Sequence, residues 1–217
     1  MANPVIRAAY KYAAMTTGAN IVVQAGDWVW VGYSCANSYG AATCTDGVGS
    51  YTALSYLSPS TSAYAWLLQG ASTSGTRTIT IAGAGSSSPV LFVLVINPNG
   101  NTLSLDGTGY SWSSKTNSGT TLTTSSFTTT ASGDFLISFM TTDNVTTTYT
   151  DSSGWTNGTS NASNDSASCF YYVAGAAAAY NENVTIGTST AYAFNTGVFA
   201  IKVTAAGGSY KPYWMMD

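Results

Sequence analysis

Ala25-Gly26-Asp27-Trp28-Val29-Trp30-Val31 and Ser132-Gly133-Asp134-Phe135-Leu136-Ile137-Ser138 share one pattern, 107 positions apart: a small residue, a Gly-Asp turn, then an apolar run. Gly-Asp is turn chemistry, and a short aromatic or β-branched run behind it reads as a buried strand. Further matches follow in the same order. Thr45-Asp46 with Gly49 lines up with Thr150-Asp151 and Gly154, 105 apart, and Ile79-Thr80-Ile81 lines up with Val184-Thr185-Ile186 at the same offset. Phe92, Leu94 and Ile96 meet Phe199, Ile201 and Val203, again 107 apart. A fixed period of this kind marks an internal repeat.

The remaining chain fits strands as well. Largely apolar runs occur at Ile21–Val23, Ala65–Leu68, Val90–Ile96, Phe135–Met140 and Val198–Val203, and strict alternation occurs at Thr78–Ile81, Thr102–Leu105 and Asn183–Ile186. Gly, Asn, Asp, Ser and Thr clusters separate them, and the helical period appears almost nowhere, its one candidate, Ala174 to Ala179, being short and containing Gly175. The fold class is therefore all-β. The pattern predicts one domain over 1–217, a single two-sheet jelly-roll-like sandwich with pseudo-twofold duplication. Its halves are 20–96 and 127–203, with added material at the N-terminus and 102–130, and a tail at 204–217. Two independent domains are the weaker reading, because each half alone buries little and no linker joins them.

The chain has 217 residues, 6 Lys+Arg against 9 Asp+Glu, no histidine, 7% charged residues and 45% apolar ones. Disorder would require the opposite balance. The longest apolar run, Val90 to Ile96, is far short of a membrane-spanning helix. Six scattered cations do not form the basic patch that nucleic acid requires. Without histidine, Ser-His-Asp and Cys-His chemistry is excluded, and the commonest metal ligand is missing. Met1 to Arg7 does not read as a secretory signal, which leaves a removed signal and intracellular assembly both open.

The succession of a Gly-Asp turn into an apolar strand, Thr-Asp-x-x-Gly, an aromatic strand, Thr-Ile-Thr-Ile and a closing apolar strand resembles a Ser/Thr-rich jelly-roll sandwich. Such domains occur in structural proteins of tailed phages and in uncharacterised bacterial surface proteins. The resemblance covers most of 20–203. It implies a virion or cell-surface role with adhesion or glycan contact, and it carries no catalytic residue.

Glu182, the lone glutamate, reads as a solvated turn residue, so the carboxylate pair of glycoside hydrolysis is not assembled. Asp27 and Asp134 read as turn formers, and Asp46 and Asp151 as Asx-turns rather than calcium ligands. Ser114 and Lys115 are adjacent on a strand and point to opposite faces, against a Ser-Lys centre. Cys35 and Cys44 flank a turn-rich loop, leaving a disulfide and two separate thiols both open, while Cys169 reads as a small buried hydrophobe. Trp28, Trp30, Trp66, Tyr171 and Tyr172 read as core. Tyr110, Trp112, Tyr149 and Trp155 read as candidate surface contacts to a glycan or partner. In the tail, Tyr210, Tyr213 and Trp214 are candidate assembly contacts. The sequons, such as Asn157-Gly158-Thr159, are chance matches in a chain so rich in Ser, Thr and Asn.

These observations lead to the expectation of a non-enzymatic, cofactor-free structural subunit of a phage-like particle, a capsid decoration or a tail or fibre subunit, with self-association or other particle subunits as partners. The rival readings are a carbohydrate-binding module and a surface filament or adhesin subunit joined by strand addition.

Overall fold

A computed structural model of the chain describes residues 2–13, 18–36, 41–57, 61–85, 87–117, 119–142, 148–161, 167–187 and 192–205. Among them there is no helix. The first half supplies β1 (Val5–Ala13), β2 (Ala19–Val23), β3 (Trp28–Ala36), β4 (Thr43–Thr45), β5 (Thr52–Leu57), β6 (Thr61–Leu68), β7 (Gly75–Ala82) and β8 (Ser87–Asn97). The second supplies β9 (Asn101–Asn117), β10 (Thr121–Thr123), β11 (Phe127–Thr128), β12 (Phe135–Thr142), β13 (Tyr149–Asp151), β14 (Thr156–Asn161), β15 (Ala167–Val173), β16 (Ala179–Tyr180), β17 (Asn183–Ile186) and β18 (Tyr192–Ala205).

The strands form two five-stranded antiparallel sheets, β1-β8-β3-β6-β5 and β9-β18-β12-β15-β14, and two three-stranded sheets, β2-β7-β4 and β10-β17-β13. With the β11–β16 ribbon set aside, both halves have the same strand order. Each sets its first strand beside its last, followed by its third, sixth and fifth. The same backbone clasp recurs as well. Gly26 N–H donates to Ala71 O (2.8 Å) and Ala71 N–H to Asp27 O (2.6 Å), while Gly133 N–H donates to Ala174 O (2.7 Å) and Ala174 N–H to Asp134 O (2.9 Å). Gly26 and Gly133 turn the chain at φ 88° and 83°, a region that side-chain-bearing residues avoid.

Three apolar layers hold these sheets together. The two large sheets face each other across the central layer, which takes Trp28, Trp30, Phe92 and Leu94 from one sheet and Phe135, Phe139, Phe199 and Ile201 from the other. Trp30 lies edge-on to Phe139 (centroids 5.5 Å apart, 73° between planes) and 5.5 Å from Phe199, and Phe92 lies edge-on to Phe139 at 5.8 Å. Each such aromatic pair adds about 0.5–1.5 kcal/mol beyond area burial. The outer face of each large sheet is covered by its three-stranded sheet. Val29, Val31, Val93 and Val95 pack with Ile21 and Ile79 on one side, and Leu136, Val198 and Phe170 pack with Leu122 and Val184 on the other.

This layering explains the two kinds of apolar run. β12 is buried at every position because both of its faces are covered, and Val90 to Ile96 on β8 is buried throughout for the same reason. β2 and β17 each have one face in solvent and alternate. The expected face-to-face pair of sheets is the pair of five-stranded sheets, with the three-stranded sheets added outside them. The halves also reach further than 20–96 and 127–203. β1 belongs to the first large sheet, and β9 and β10, within the segment read as added material, belong to sheets of the second half.

All four outer strands of the large sheets are associated with a register shift. It falls at Ile6/Ala8 in β1, at Ala53/Ser55 in β5, at Asn157/Thr159 in β14, and opposite Phe199/Ile201 where β9 meets β18. Bulges interrupt the flat row of donors and acceptors that another strand would extend.

On β18, Gly197 lies directly opposite Trp112, and a Cβ added there would stand 1.7 Å from the indole. Gly197→Ala is expected to destabilise the protein by about 1–3 kcal/mol in urea denaturation. Combining it with Trp112→Ala should cost less than the sum of the two single changes.

Candidate functional site

β4 runs into the turn Asp46-Gly47-Val48-Gly49. Asp46 Oδ1 accepts the N–H groups of Val48 (2.9 Å) and Gly49 (2.6 Å), the Asx-turn expected from the sequence. Its Oδ2 accepts from Arg77 Nη1 at 2.8 Å and from the Tyr51 hydroxyl at 3.2 Å. Arg77 comes from β7 and is anchored by a second bond, Nη2 to Thr73 O at 2.8 Å. Both partners of the ion pair are buried, at 3% and 0% side-chain exposure. Burial alone would raise the Asp46 pKa. The Gly49 N–H, the Arg77 guanidinium and the Val48 N–H outweigh it and hold the carboxyl below its ordinary value. The Tyr51 hydroxyl is pushed up by burial and by the neighbouring Asp46 charge.

Beside this turn is an open pocket of about 340 Å³, with Thr43, Cys44, Ser50, Tyr51, Ala53 and Trp66 in its wall. The volume falls within the size range of small-ligand sites. The Trp66 indole already stacks on Tyr64 (5.5 Å, 4°) and is 2% exposed, so it offers a ligand almost no open ring surface. The Cys44 thiol is pushed well above its usual range by burial and by Asp46.

Register gives the counterparts in the second half. Cys44 pairs with Ile81 and Thr45 with Thr80; Tyr149 pairs with Ile186 and Thr150 with Thr185. The equivalences Cys44/Tyr149, Asp46/Asp151 and Arg77/Glu182 follow, each 105 positions apart. Asp151 makes the same turn, accepting from Ser153 N–H (3.1 Å) and Gly154 N–H (2.7 Å). The arginine position, however, holds Glu182. This residue is fully buried, which corrects its reading as a solvated turn residue. β17 lies over β12, so the carboxyl faces inward, where it accepts the Ser138 hydroxyl while Oε1 has no partner. Burial pushes its pKa up to about 8; the Ser138 bond opposes this shift and Asp151 adds to it.

A second charge exchange occurs at the Gly-Asp turns. Asp27 accepts Arg7 Nε at 2.8 Å and Nη2 at 3.1 Å, together with the Gln24 N–H at 2.8 Å. Asp134 accepts the N–H groups of Ala131 and Val203, each at 3.2 Å. The residue that reaches it from the irregular stretch of β9, where β1 carries Arg7, is Asp106. Asp106 accepts the Thr130 N–H at 2.7 Å and the Thr130 hydroxyl. Asp106 and Asp134 are 1% and 0% exposed, and burial, with a hydrogen bond and charge from Asp106, raises Asp134.

The candidate contact aromatics are mostly interior. Tyr149 is 5% exposed and its hydroxyl bonds the Thr142 hydroxyl (2.8 Å), while Trp155 is 6% exposed and stacks on Tyr172 at 5.5 Å. Trp112 is half-buried against Phe139 and Phe199 (6.0 and 5.2 Å), a sandwich-edge residue rather than a surface platform. Tyr110, at 36% exposure, is the only one of the four that is open. Cys35 and Cys44 are buried thiols on β3 and β4 with no disulfide between them. Cys169 is buried in the central layer as expected. The Ser114 hydroxyl is engaged with Asn195 Oδ1. Tyr210, Tyr213 and Trp214 lie outside the described residues. Among the described residues, no three Cys, Asp or Glu side chains cluster to hold a metal.

No family model matches the chain, and neither the curated proteins nor the solved structures include one significantly similar to it.

Arg77→Leu would leave the Asp46 charge buried and unpaired, with an expected loss of about 3–5 kcal/mol in chemical denaturation. Adding Asp46→Asn in the same chain should recover part of that loss.

Proposed function

We propose that the chain is a non-catalytic structural subunit of a phage-like particle, a capsid decoration or a tail or fibre subunit, built from two copies of one jelly-roll-type unit. The observation that carries this reading is where the charges lie. Asp27, Asp46, Asp106, Asp134 and Glu182, five of the nine acidic residues, are buried, as is Arg77, and Arg7 is bonded to Asp27. Among the described residues the surface keeps few charges, Lys11, Asp151, Lys202 and part of Arg7, set among hydroxyls and amides. Packing such a surface against a neighbour strips water from few ions, and the low charge sets up little repulsion between copies. The bulged edges favour contacts through faces, loops and the segment holding Tyr210, Tyr213 and Trp214 over strand addition, which places the filament reading behind.

The pocket beside Asp46 favours a second reading, a carbohydrate-binding module, in which hydroxyl-lined walls and Tyr51 would meet a sugar.

Light scattering on a size-exclusion column is expected to give a defined oligomer for the full chain and a folded monomer after removal of 210–217. A full-length chain that stays monomeric across the accessible concentration range would remove self-assembly from the proposal. A glycan array on that monomer, with Tyr51→Ala as its control, would then test the second reading.

A further inference from the structure

The two halves share strand order but differ in how they neutralise their buried acids. In the first half, Arg7 faces Asp27 and Arg77 faces Asp46. At the corresponding places in the second, Asp106 faces Asp134, and Glu182 stands where Arg77 would, on the side of Asp151. Asp106, Asp134 and Glu182 are 1%, 0% and 0% exposed. Around Asp134 stand Asp106 from β9, the Val203 N–H from β18 and the Ala131 N–H from the turn. The nearby lysine, Lys202, donates to the Thr130 hydroxyl at 3.4 Å rather than to a carboxylate. Around Glu182 stand Ser138 from β12, Asp151 from β13 and the Cys169 thiol from β15, while the Thr124 hydroxyl accepts the Glu182 N–H at 2.8 Å. Among the described residues, no cation bonds these carboxyls. Two carboxylates cannot both ionise at close range in a dry site, and a lone ionised carboxylate buried without a cation is itself costly.

We propose that the second half is locked by protons, Asp134, set against the Asp106 carboxyl, and Glu182 keeping their native packing only while protonated, so that rising pH loosens the second half and spares the first. The sign follows from linkage. Glu182 titrates at about 8 in the fold and near its ordinary value of about 4.3 when unfolded. Between these limits the folded state holds a proton that the unfolded state has released, so stability is full below the lower value and falls as pH rises through the window, by up to about tenfold in the opening equilibrium per pH unit. The raised carboxyl of Asp134 acts in the same direction. Asp46, held below its ordinary value, acts oppositely; its contribution is present above the usual carboxylate range and is lost as pH falls through the folded value.

Hydrogen exchange of the full chain at pH 6 and pH 8.5, corrected for the intrinsic pH dependence of exchange, reads this strand by strand. Opening of 135–142, 167–173 and 194–203 is expected to rise by up to about a hundredfold, while 28–36, 61–68 and 90–97 stay protected. Glu182→Gln and Asp106→Asn should each remove part of the response. Equal responses in both halves, no response in the unaltered chain, or a full response retained in both variants would overturn the proposal. The unaltered chain decides the first two outcomes even if a variant does not fold.

Discussion

Trp30, fully buried between Phe139 and Phe199, marks the contact of the two five-stranded sheets, and the other layers depend on that contact. Once two sheets meet through large aromatics on their inner faces, the alternate residues of the same strands point outward. Those residues are Val29, Val31, Leu136 and Val198, which cannot be left in water without losing about 1.5–3 kcal/mol each. The three-stranded sheets are the solution. Each caps one outer face and presents its own second face to solvent, so burial ends where the strands become short and alternating. The turns with Asp46 and Asp151 close these caps, which puts the polar networks at the rim of the outer layers.

The internal use of charge follows from the same layering. With so few ions in the chain, most described acids sit where a turn or bulge needs an acceptor, and each must be neutralised on the spot. The first half does so with guanidinium groups and the second with hydroxyls, amides and retained protons. Among the described residues the surface inherits the remainder, a polar face with few charges, Lys11, Asp151 and Lys202 among them.

The fold class was legible because burial on one face or two writes different patterns: a continuous apolar run at Val90–Ile96 and one broken only by Ser138 at Phe135–Met140, against alternation at Asn183–Ile186. The Asx-turns were legible too, since their bonds lie within a few residues. Contacts set by stacking of layers were not. Tyr149 and Trp155 lie in polar sequence beside a turn, and only the pairing of β13 with β17 over the second large sheet turns them inward. Glu182 was misread for the same reason, its neighbours Asn181 and Asn183 suggesting solvent. The offset of 105 that aligns Thr45 with Thr150 also aligns Arg77 with Glu182, a signal present in the sequence that gains meaning only once layer stacking makes the position interior.

Cys35 and Cys169 are fully buried and Cys44 is nearly so, none of them cross-linked. Cohesion therefore rests on packing, hydrogen bonds and ion pairs rather than on covalent cross-links, and no step in acquiring this fold waits on an oxidant. Burial pushes the Cys44 and Cys169 thiols away from the thiolate form, which is the form that peroxides and disulfide partners attack. A protein built this way can fold under reducing conditions and then be carried into oxidising ones with its covalent structure unchanged.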